Sequence, residues 1–320
     1  MIKNNKKNGE NMINSWKNKK LKSFKGKTIV LTGATNGLGL EALKHLCSLD
    51  ANVIVGVRNT ERAESQAKEI LKTFKDASIT IFRLDLTSLD SILEFAENVK
   101  SVCKNGFDAL INNAGIYAQE EEILEYGYEK HFFTNTLAPI ILSKSLLPVL
   151  EKQPDSKIIF VSSISFNFTK INFSDIDFTH QKSKMNLYAN TKRWLTFYAL
   201  EMAKVLEEKG SNTSVVICHP GVSGTTLMSP KKNKFLRACF KPVQALMNLL
   251  LLPPKKASLT EVTAVIAKTD DFEWISPSVF NIWGYPKKTR IKIKHFKPYE
   301  IIECYEKIEE IISKMTNVKN

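Results

Sequence analysis

Cysteine pairs are missing from this chain: the five present, Cys47, Cys103, Cys218, Cys239 and Cys304, are odd in number, scattered, and never spaced CxxC. That excludes a disulfide framework and points to a reducing compartment, with a cytoplasmic location as the expectation. The N-terminus lacks the apolar core of a signal peptide. The greasiest window, 235–252, is broken by Arg237, Lys241, Pro242, Gln244 and Asn248, too often for a transmembrane helix. Neither zinc-finger spacing nor an aromatic ribonucleoprotein motif occurs, so no nucleic-acid partner is expected. Acidic side chains are the scarcer sign, 33 Asp and Glu against 46 Lys and Arg, leaving a net charge of +13. Such a surface can attract nucleic acid, anionic lipid or a phosphorylated cofactor, but solvated basic faces are the expected reading.

Apolar material is ample, at 43% of 320 residues, and it is ordered. Residues 1–24 are rich in Lys and Asn with little apolar periodicity and read as a flexible basic tail. From Lys27 onward short apolar runs alternate with helical stripes. Thr28–Leu31, Val53–Val55, Ile79–Leu84, Ala109–Ile111, Ile158–Val161 and Val215–Cys218 have the composition of buried parallel strands. Between them, Leu40, Leu43, Leu46 and Cys47 share one helical face, as do Ala63, Ala67, Ile70, Leu71 and Phe74, with Glu61 suited to the first turn of that second helix. Further helices are expected over 89–102, 128–147 and 188–208. Such alternation requires right-handed crossovers and a sheet covered on both faces. The expectation is α/β: a Rossmann-type, doubly wound parallel sheet in a single domain, 25–320. A last strand is expected at Val279–Trp283 and a closing amphipathic helix within 298–315.

Chemistry gathers at the expected strand ends. Thr32-Gly33-Ala34-Thr35-Asn36-Gly37-Leu38-Gly39 follows the first strand and opens a helix. There Gly33 permits a tight turn, Gly37 lets backbone approach a pyrophosphate, and Gly39 lets helix and strand pack closely, while the helix N-terminus offers N–H groups to phosphate. The second strand ends in Val57-Arg58-Asn59, with no carboxylate to bind a ribose 2′-OH; Arg58 can fork onto a 2′-phosphate, which favours NADP(H) over NAD(H). Asp85-Leu86-Thr87 and Asn112-Asn113-Ala114-Gly115 end the third and fourth strands. Asp85 can accept from an adenine amino group, and Asn113 can brace backbone while Ala114 and Gly115 leave room for a sugar; both segments also read as plain turns.

Tyr188 and Lys192 are four apart on one helical face. A phenol near its usual pKa of about 10 is a poor base, and a neighbouring ammonium stabilises the phenolate, which makes the pair a candidate general acid/base. Ser163, in Ser162-Ser163 at the end of the fifth strand, is placed to meet a substrate oxygen; it equally suits a turn or cap. After the sixth strand comes His219-Pro220-Gly221-Val222-Ser223-Gly224-Thr225, in which Pro220 and Gly221 would turn the chain across the cofactor and Thr225 would bond the nicotinamide amide, with His219 structural.

Taken together, TGATNGLG, DL, NNAG, HFFTN, VSS, YANTK and HPGVSGT, in that order over about Lys25 to Leu227, resemble the short-chain dehydrogenase/reductase family. The resemblance implies a catalytic tetrad of Asn135, Ser163, Tyr188 and Lys192, with Thr35, Asn36 and Leu38 of the glycine turn and Leu86 beside the nucleotide. In it Tyr188 exchanges the proton, Ser163 polarises the substrate oxygen, Lys192 holds the nicotinamide ribose and lowers the tyrosine pKa, and Asn135 anchors a water that relays the proton. The insert between Ser163 and Tyr188, with Ile171–Ile176, is similar to the retinol dehydrogenase and WW-domain oxidoreductase branch, which generally prefers NADP(H). Pro139, four residues after Asn135, departs from the usual family helix. The 228–255 stretch corresponds to a substrate lid, apolar with a basic flank, which implies a bulky apolar alcohol or carbonyl, retinoid-, steroid- or lipid-like, and allows contact with a membrane surface or with a second copy in a homodimer. The competing reading is a non-catalytic NADP(H)-binding protein that senses redox state through interaction; the complete Ser163–Tyr188–Lys192 set argues against it.

Overall fold

The computed structural model describes residues 2–117, 120–176, 178, 183–222 and 251–317. Six β-branched runs become parallel strands: β1 (Thr28–Thr32), β2 (Asn52–Val57), β3 (Ser78–Arg83), β4 (Ala109–Asn112), β5 (Ser156–Val161) and β6 (Thr213–Cys218). With β7 (Glu273–Val279) and β8 (Trp283–Arg290) they form one eight-stranded sheet in the order β3-β2-β1-β4-β5-β6-β7-β8, antiparallel only between β7 and β8. The order reverses between β1 and β4, so a crevice opens there at the strands' C-terminal ends, where ligands bind in open α/β sheets.

Both faces of the sheet are covered. Ile158, Phe160, Val215 and Ile217 pack with α4 (Leu89–Val102), α5 (Lys130–Leu150) and α6 (Lys184–Glu208). Their neighbours Ile159, Val161, Val216 and Cys218 point the other way, towards α2 (Gly37–Cys47) and the short α8 (Leu259–Ala264), which follows α7 (Pro254–Ala257). Alternate residues of one strand thus feed two cores, the reason these strands read as unbroken apolar runs. Between β2 and β3 runs α3 (Thr60–Thr73), capped by the Asn59 side chain on the Arg62 amide, with Glu61 in its first turn. Helix α5 is long and apolar enough to span a membrane by length and composition, yet 78% of its apolar window is buried within the protein. The last helix, α9 (Tyr299–Asn317), packs Ile301, Ile308, Ile311 and Ile312 against the α6 side of the core.

Two expectations are corrected. The N-terminal stretch, read as a flexible basic tail with little apolar periodicity, contains helix α1 (Ile2–Lys20). Ile13, Lys17, Leu21 and Phe24 are buried at helical intervals, Trp16 stacks on Tyr285 at 5.1 Å, and the Lys17 ammonium donates to Ser48 Oγ. A lysine whose aliphatic stem serves as an apolar residue hid the period. The stretch Val279–Trp283 is a hairpin turn rather than a strand: Phe280 and Asn281 take left-handed backbone, with φ of 53° and 60°, and the flanking residues pair as β7 and β8. Two positive-φ residues in a row suit the right-handed twist of the hairpin, and Phe280, 84% exposed, sits at its tip.

Candidate active site

A cleft of about 700 Å³ lies over the strand C-termini at the crevice, and most of the expected site residues line it. At its floor Gly33 has φ of +76°, and a Cβ there would come within 2.8 Å of the Ala114 side chain. A Cβ on Gly39 would run into the Gly33 carbonyl and the Asn113 carboxamide. Nothing but hydrogen fits at either position, so the turn is drawn tight under the first turn of α2. Asn113 holds it there: its Nδ2 donates to the carbonyls of Thr32 (2.7 Å) and Gly33 (3.1 Å). Thr32 Oγ1 in turn accepts from the amides of Asn113 and Ala114, both at 3.1 Å. Gln66, on α3, steadies the far side through the Thr35 carbonyl. Asn36 stands at the N-cap of α2 without turning its side chain inward to cap it, which leaves the first N–H groups of the helix directed into the cleft beside Thr35, Gly37 and Leu38. Such an arrangement of backbone N–H groups over a side-chain-free turn could hold an anionic group such as a pyrophosphate.

Next to it, the end of β2 supplies Arg58 and the first turn of α3 supplies Arg62; both are exposed and both line the cleft. Arg62 was not singled out from sequence. Its signal was the N-cap at Asn59, which starts α3 at once and turns residue 62 back towards the strand end. Asp85 lines the same wall with Leu86, but its Oδ1 accepts from the Thr87 amide (3.0 Å) and hydroxyl (2.7 Å), an Asx turn of its own.

At the other end of the cleft stand Ser163, Tyr188 and Lys192. Ser163 fills two roles. Its side chain begins the single 3₁₀ turn Ile164–Phe168 by accepting from the Ser165 amide (3.2 Å), and it hydrogen-bonds the Tyr188 phenol. The serine bond lowers the phenol's pKa, but burial outweighs it and Tyr188 is pushed up to about 12. The expected acidification of the phenol by Lys192 does not appear. The ammonium lies 5.9 Å from the tyrosine ring centroid and donates to the Val161 carbonyl at 2.8 Å, while burial lowers its own pKa to about 8. Without a nucleotide the phenol is therefore protonated across the neutral range. Tyr117 meets the Tyr188 ring edge-on at 5.1 Å and fixes its plane.

Asn135 does not line the cleft; it sits one layer behind. Its carboxamide accepts from the Ile116 amide (2.8 Å) and donates to the Ile116 carbonyl (2.9 Å) and Thr191 Oγ1 (3.2 Å), tying the loop after β4 to α6. Gly115 separates it from Lys192; a Cβ there would lie 3.1 Å from Asn135 Oδ1 and 3.9 Å from Lys192 Nζ. Around Asn135 the helix widens into a π turn, Phe133–Leu137, where the Ala138 amide reaches back five residues to Phe133. Pro139 follows at once, and a proline offers no N–H to the carbonyl four residues earlier, that of Asn135 itself.

Pro220 and Gly221 line the cleft with Val222, and His219 is buried beneath them, stacked on Trp274 at 5.3 Å and held neutral with its pKa lowered to about 3 by burial. Thr225 and the 228–250 part of the expected lid lie outside the described residues. Among the described residues no cluster of His, Cys, Asp and Glu suits a metal ion, and the four described cysteines are buried free thiols.

The short chain dehydrogenase family profile matches residues 27–235 of the chain. Retinol dehydrogenase 14 of Mus musculus is 32% identical over 212 residues, a stretch covering 63% of each protein. Retinol dehydrogenase 12 of Homo sapiens is 32% identical over 203 residues, again 63% of each. The chain thus spans a little under two thirds of the length of these relatives. A crystal structure of an uncharacterized protein from Mycobacterium paratuberculosis superposes with a TM-score of 0.70 at 26% identity, over 91% of this chain and 95% of that one.

Proposed function

Because this chain belongs to the short-chain dehydrogenase family, in its retinol dehydrogenase-like branch, we propose that it interconverts an alcohol and a carbonyl with NADP(H), Tyr188 exchanging the proton. The observation that carries this reading is one cleft in which a glycine turn that tolerates no side chain leads to a phenol hydrogen-bonded by a serine, with a buried lysine beneath. The cradle fits a dinucleotide. Gly33, Gly37, Gly39 and the α2 N-terminus would hold its pyrophosphate, Arg58 and Arg62 its 2′-phosphate, and Lys192 with Gly115 its nicotinamide end. A bound nicotinamide supplies the hydride for reduction and accepts it for oxidation.

In reduction Tyr188 starts as the protonated phenol that burial favours and donates to the carbonyl oxygen. Ser163, already bonded to the phenol, orients the same oxygen and stabilises charge that develops on it. In oxidation the phenol must first lose its proton, so a positive Lys192 beneath it matters more in that direction. The carboxamide of Asn135 is spent on Ile116 and Thr191, so a relay water would meet its backbone carbonyl. Substrate class is suggested by the cleft mouth: Phe168 and Met185, 63% and 52% exposed, stand beside Ile116, Tyr117 and Ile164 around Tyr188. An apolar carbonyl, retinoid-, steroid- or lipid-like, would cover them.

The test is NADPH oxidation against medium-chain aldehydes, retinal, steroid ketones and small polar ketones. Tyr188→Phe is expected to bind NADPH with affinity within about threefold of wild type and to lose turnover by roughly a thousandfold or more. Turnover that survives the substitution removes Tyr188 from the reaction. A preference for small polar ketones removes the apolar substrate.

A further inference from the structure

The proposed chemistry leaves one buried ionisable group without a task. Glu261 sits on α8, fully buried, and neither carboxyl oxygen has a hydrogen-bond partner among the described residues. Its helix neighbours Leu259, Val262 and Ala264 are ordinary core residues, so packing alone calls for an apolar side chain at this position. An unpartnered carboxyl there is costly to desolvate and has no hydrogen bond to offset that cost.

What faces it is the back of the proposed site. Lys192 Nζ is bonded to the Val161 carbonyl, Val161 pairs in register with Cys218 on β6, and Cys218 feels the charge of both Lys192 and Glu261. Lys192 and Glu261 likewise act on each other directly. Val161 and Cys218 turn their side chains towards α8, so the ammonium held at the Val161 carbonyl and the carboxyl on α8 lie on either side of the ends of β5 and β6, without a direct hydrogen bond between them. Cys218 contributes no charge, because burial holds its thiol well above the ordinary range, and His219 beside it is neutral. Ionisable groups on the other elements packed about α8 are engaged elsewhere: Glu41 with Lys44 and His45 with the Lys255 carbonyl on α2, Glu273 with Lys288 across β7 and β8, and Lys256 over the Tyr285 ring.

We propose that Glu261 is the buried counter-ion of Lys192, a positioning residue that keeps the lysine charged beneath the phenol and the nucleotide. The idea rests on the reading of Tyr188 and Lys192 given above. Burial moves the two groups towards each other, the carboxyl up and the ammonium down, so they titrate as a pair. When the pair gives up one proton, losing it from the carboxyl leaves two attracting charges and an intact ammonium. With a neutral residue at 261 the proton has to leave Lys192 itself. Glu261 thus extends the pH range over which the lysine is positive.

NADPH affinity reads this directly, by fluorescence titration from about pH 6 to about pH 10, the range that brackets both groups. Glu261→Gln and Glu261→Met are the variants; both remove an unpartnered buried acid, a change that tends to preserve or raise stability. Wild-type affinity is expected to hold to higher pH, with both variants losing theirs about one pH unit earlier, roughly tenfold weaker binding at the point of widest separation. Superimposable profiles overturn the proposal. Tyr188→Phe, assayed with octanal as substrate, separates the two ideas: if it retains turnover, the acid/base reading fails on its own, whatever the Glu261 profiles show. Should neither variant fold, infrared difference spectra of the wild-type protein, NADPH-bound minus free, serve instead. A buried carboxylic acid band that changes on binding supports the counter-ion, and no such band at any pH overturns it.

Discussion

At the scale of single residues, the glycine turn, Tyr188 and Lys192 could be read from sequence because each is a local pattern: a strand, a turn and a helix in immediate succession, or two side chains one helical turn apart. What could not be read is how residues from separate elements meet. Arg62 needed the exact start of α3, and Glu261 lies in a helix whose pattern gives no hint that its one acid reaches behind a lysine on another element. Even the pair that was legible behaves differently from expectation, since Lys192 bonds Val161 and burial raises the phenol. The arginines give the sharpest test here. Two guanidiniums share the corner where a 2′-phosphate would sit, and charge-assisted bonds to phosphate contribute about 1.5–3 kcal/mol when well placed. Arg58→Ala is expected to weaken NADPH about tenfold and NADH hardly at all, Arg62→Ala to do the same more mildly, and the double variant to bind both nucleotides about equally. Equal losses for NADPH and NADH from Arg58→Ala count against the phosphate assignment. Titrations of each variant with both nucleotides at one ionic strength decide it.

At the scale of elements, strands and crossover helices were legible because strands buried on both faces are unbroken apolar runs and the helices keep their 3.6-residue stripe. The misses have particular causes. Helix α1 borrows the stem of Lys17 for its apolar stripe, and the last hairpin carries Pro277 and Pro286 as partners in its ladder, a pairing that composition argues against. The π turn in α5 is the element with the clearest consequence. Pro139 denies Asn135's carbonyl its helical donor while the carboxamide of Asn135 is locked to Ile116 and Thr191. Pro139→Ala restores an N–H and lets the helix close towards α geometry. Melting temperature is expected to rise, by the equivalent of about 1 kcal/mol, because an interior proline normally costs a helix more than that. Turnover should fall at least tenfold with NADPH affinity nearly unchanged, since the loop at Ile116 and the backbone carbonyl behind Lys192 both shift. A variant that gains stability and keeps its full kcat would show that the wide turn is a packing accident and not part of the site.

At the scale of the whole molecule, the buried ionisable groups make folding stability depend on pH in a way that can be signed group by group. His45 and His219 are buried with pKa values lowered from 6.5 to about 4 and about 3. Below pH 6.5 the unfolded chain takes up protons that these native imidazoles refuse, so their contribution is complete above that point and is lost as the pH falls. Each weakens the fold on the order of 1 kcal/mol per pH unit. Glu261 works the other way. Its carboxyl is raised from 4.5 to about 8, so between those limits the native state holds a proton that the unfolded chain has released. Its contribution is complete below 4.5 and is lost as the pH rises towards 8. From pH 4.5 to 6.5 two imidazoles oppose one carboxyl and stability climbs with pH; from 6.5 to 8 the carboxyl acts alone among these three and stability declines. Urea midpoints should therefore peak near pH 6.5, with slopes of opposite sign and similar size on its two sides. Glu261→Gln should flatten the alkaline side and steepen the acid side, where the two imidazoles are then unopposed, a result independent of any substrate or cofactor. If the decline from 6.5 to 8 persists unchanged in that variant, another buried acid is responsible and Glu261 is already ionised in the folded protein.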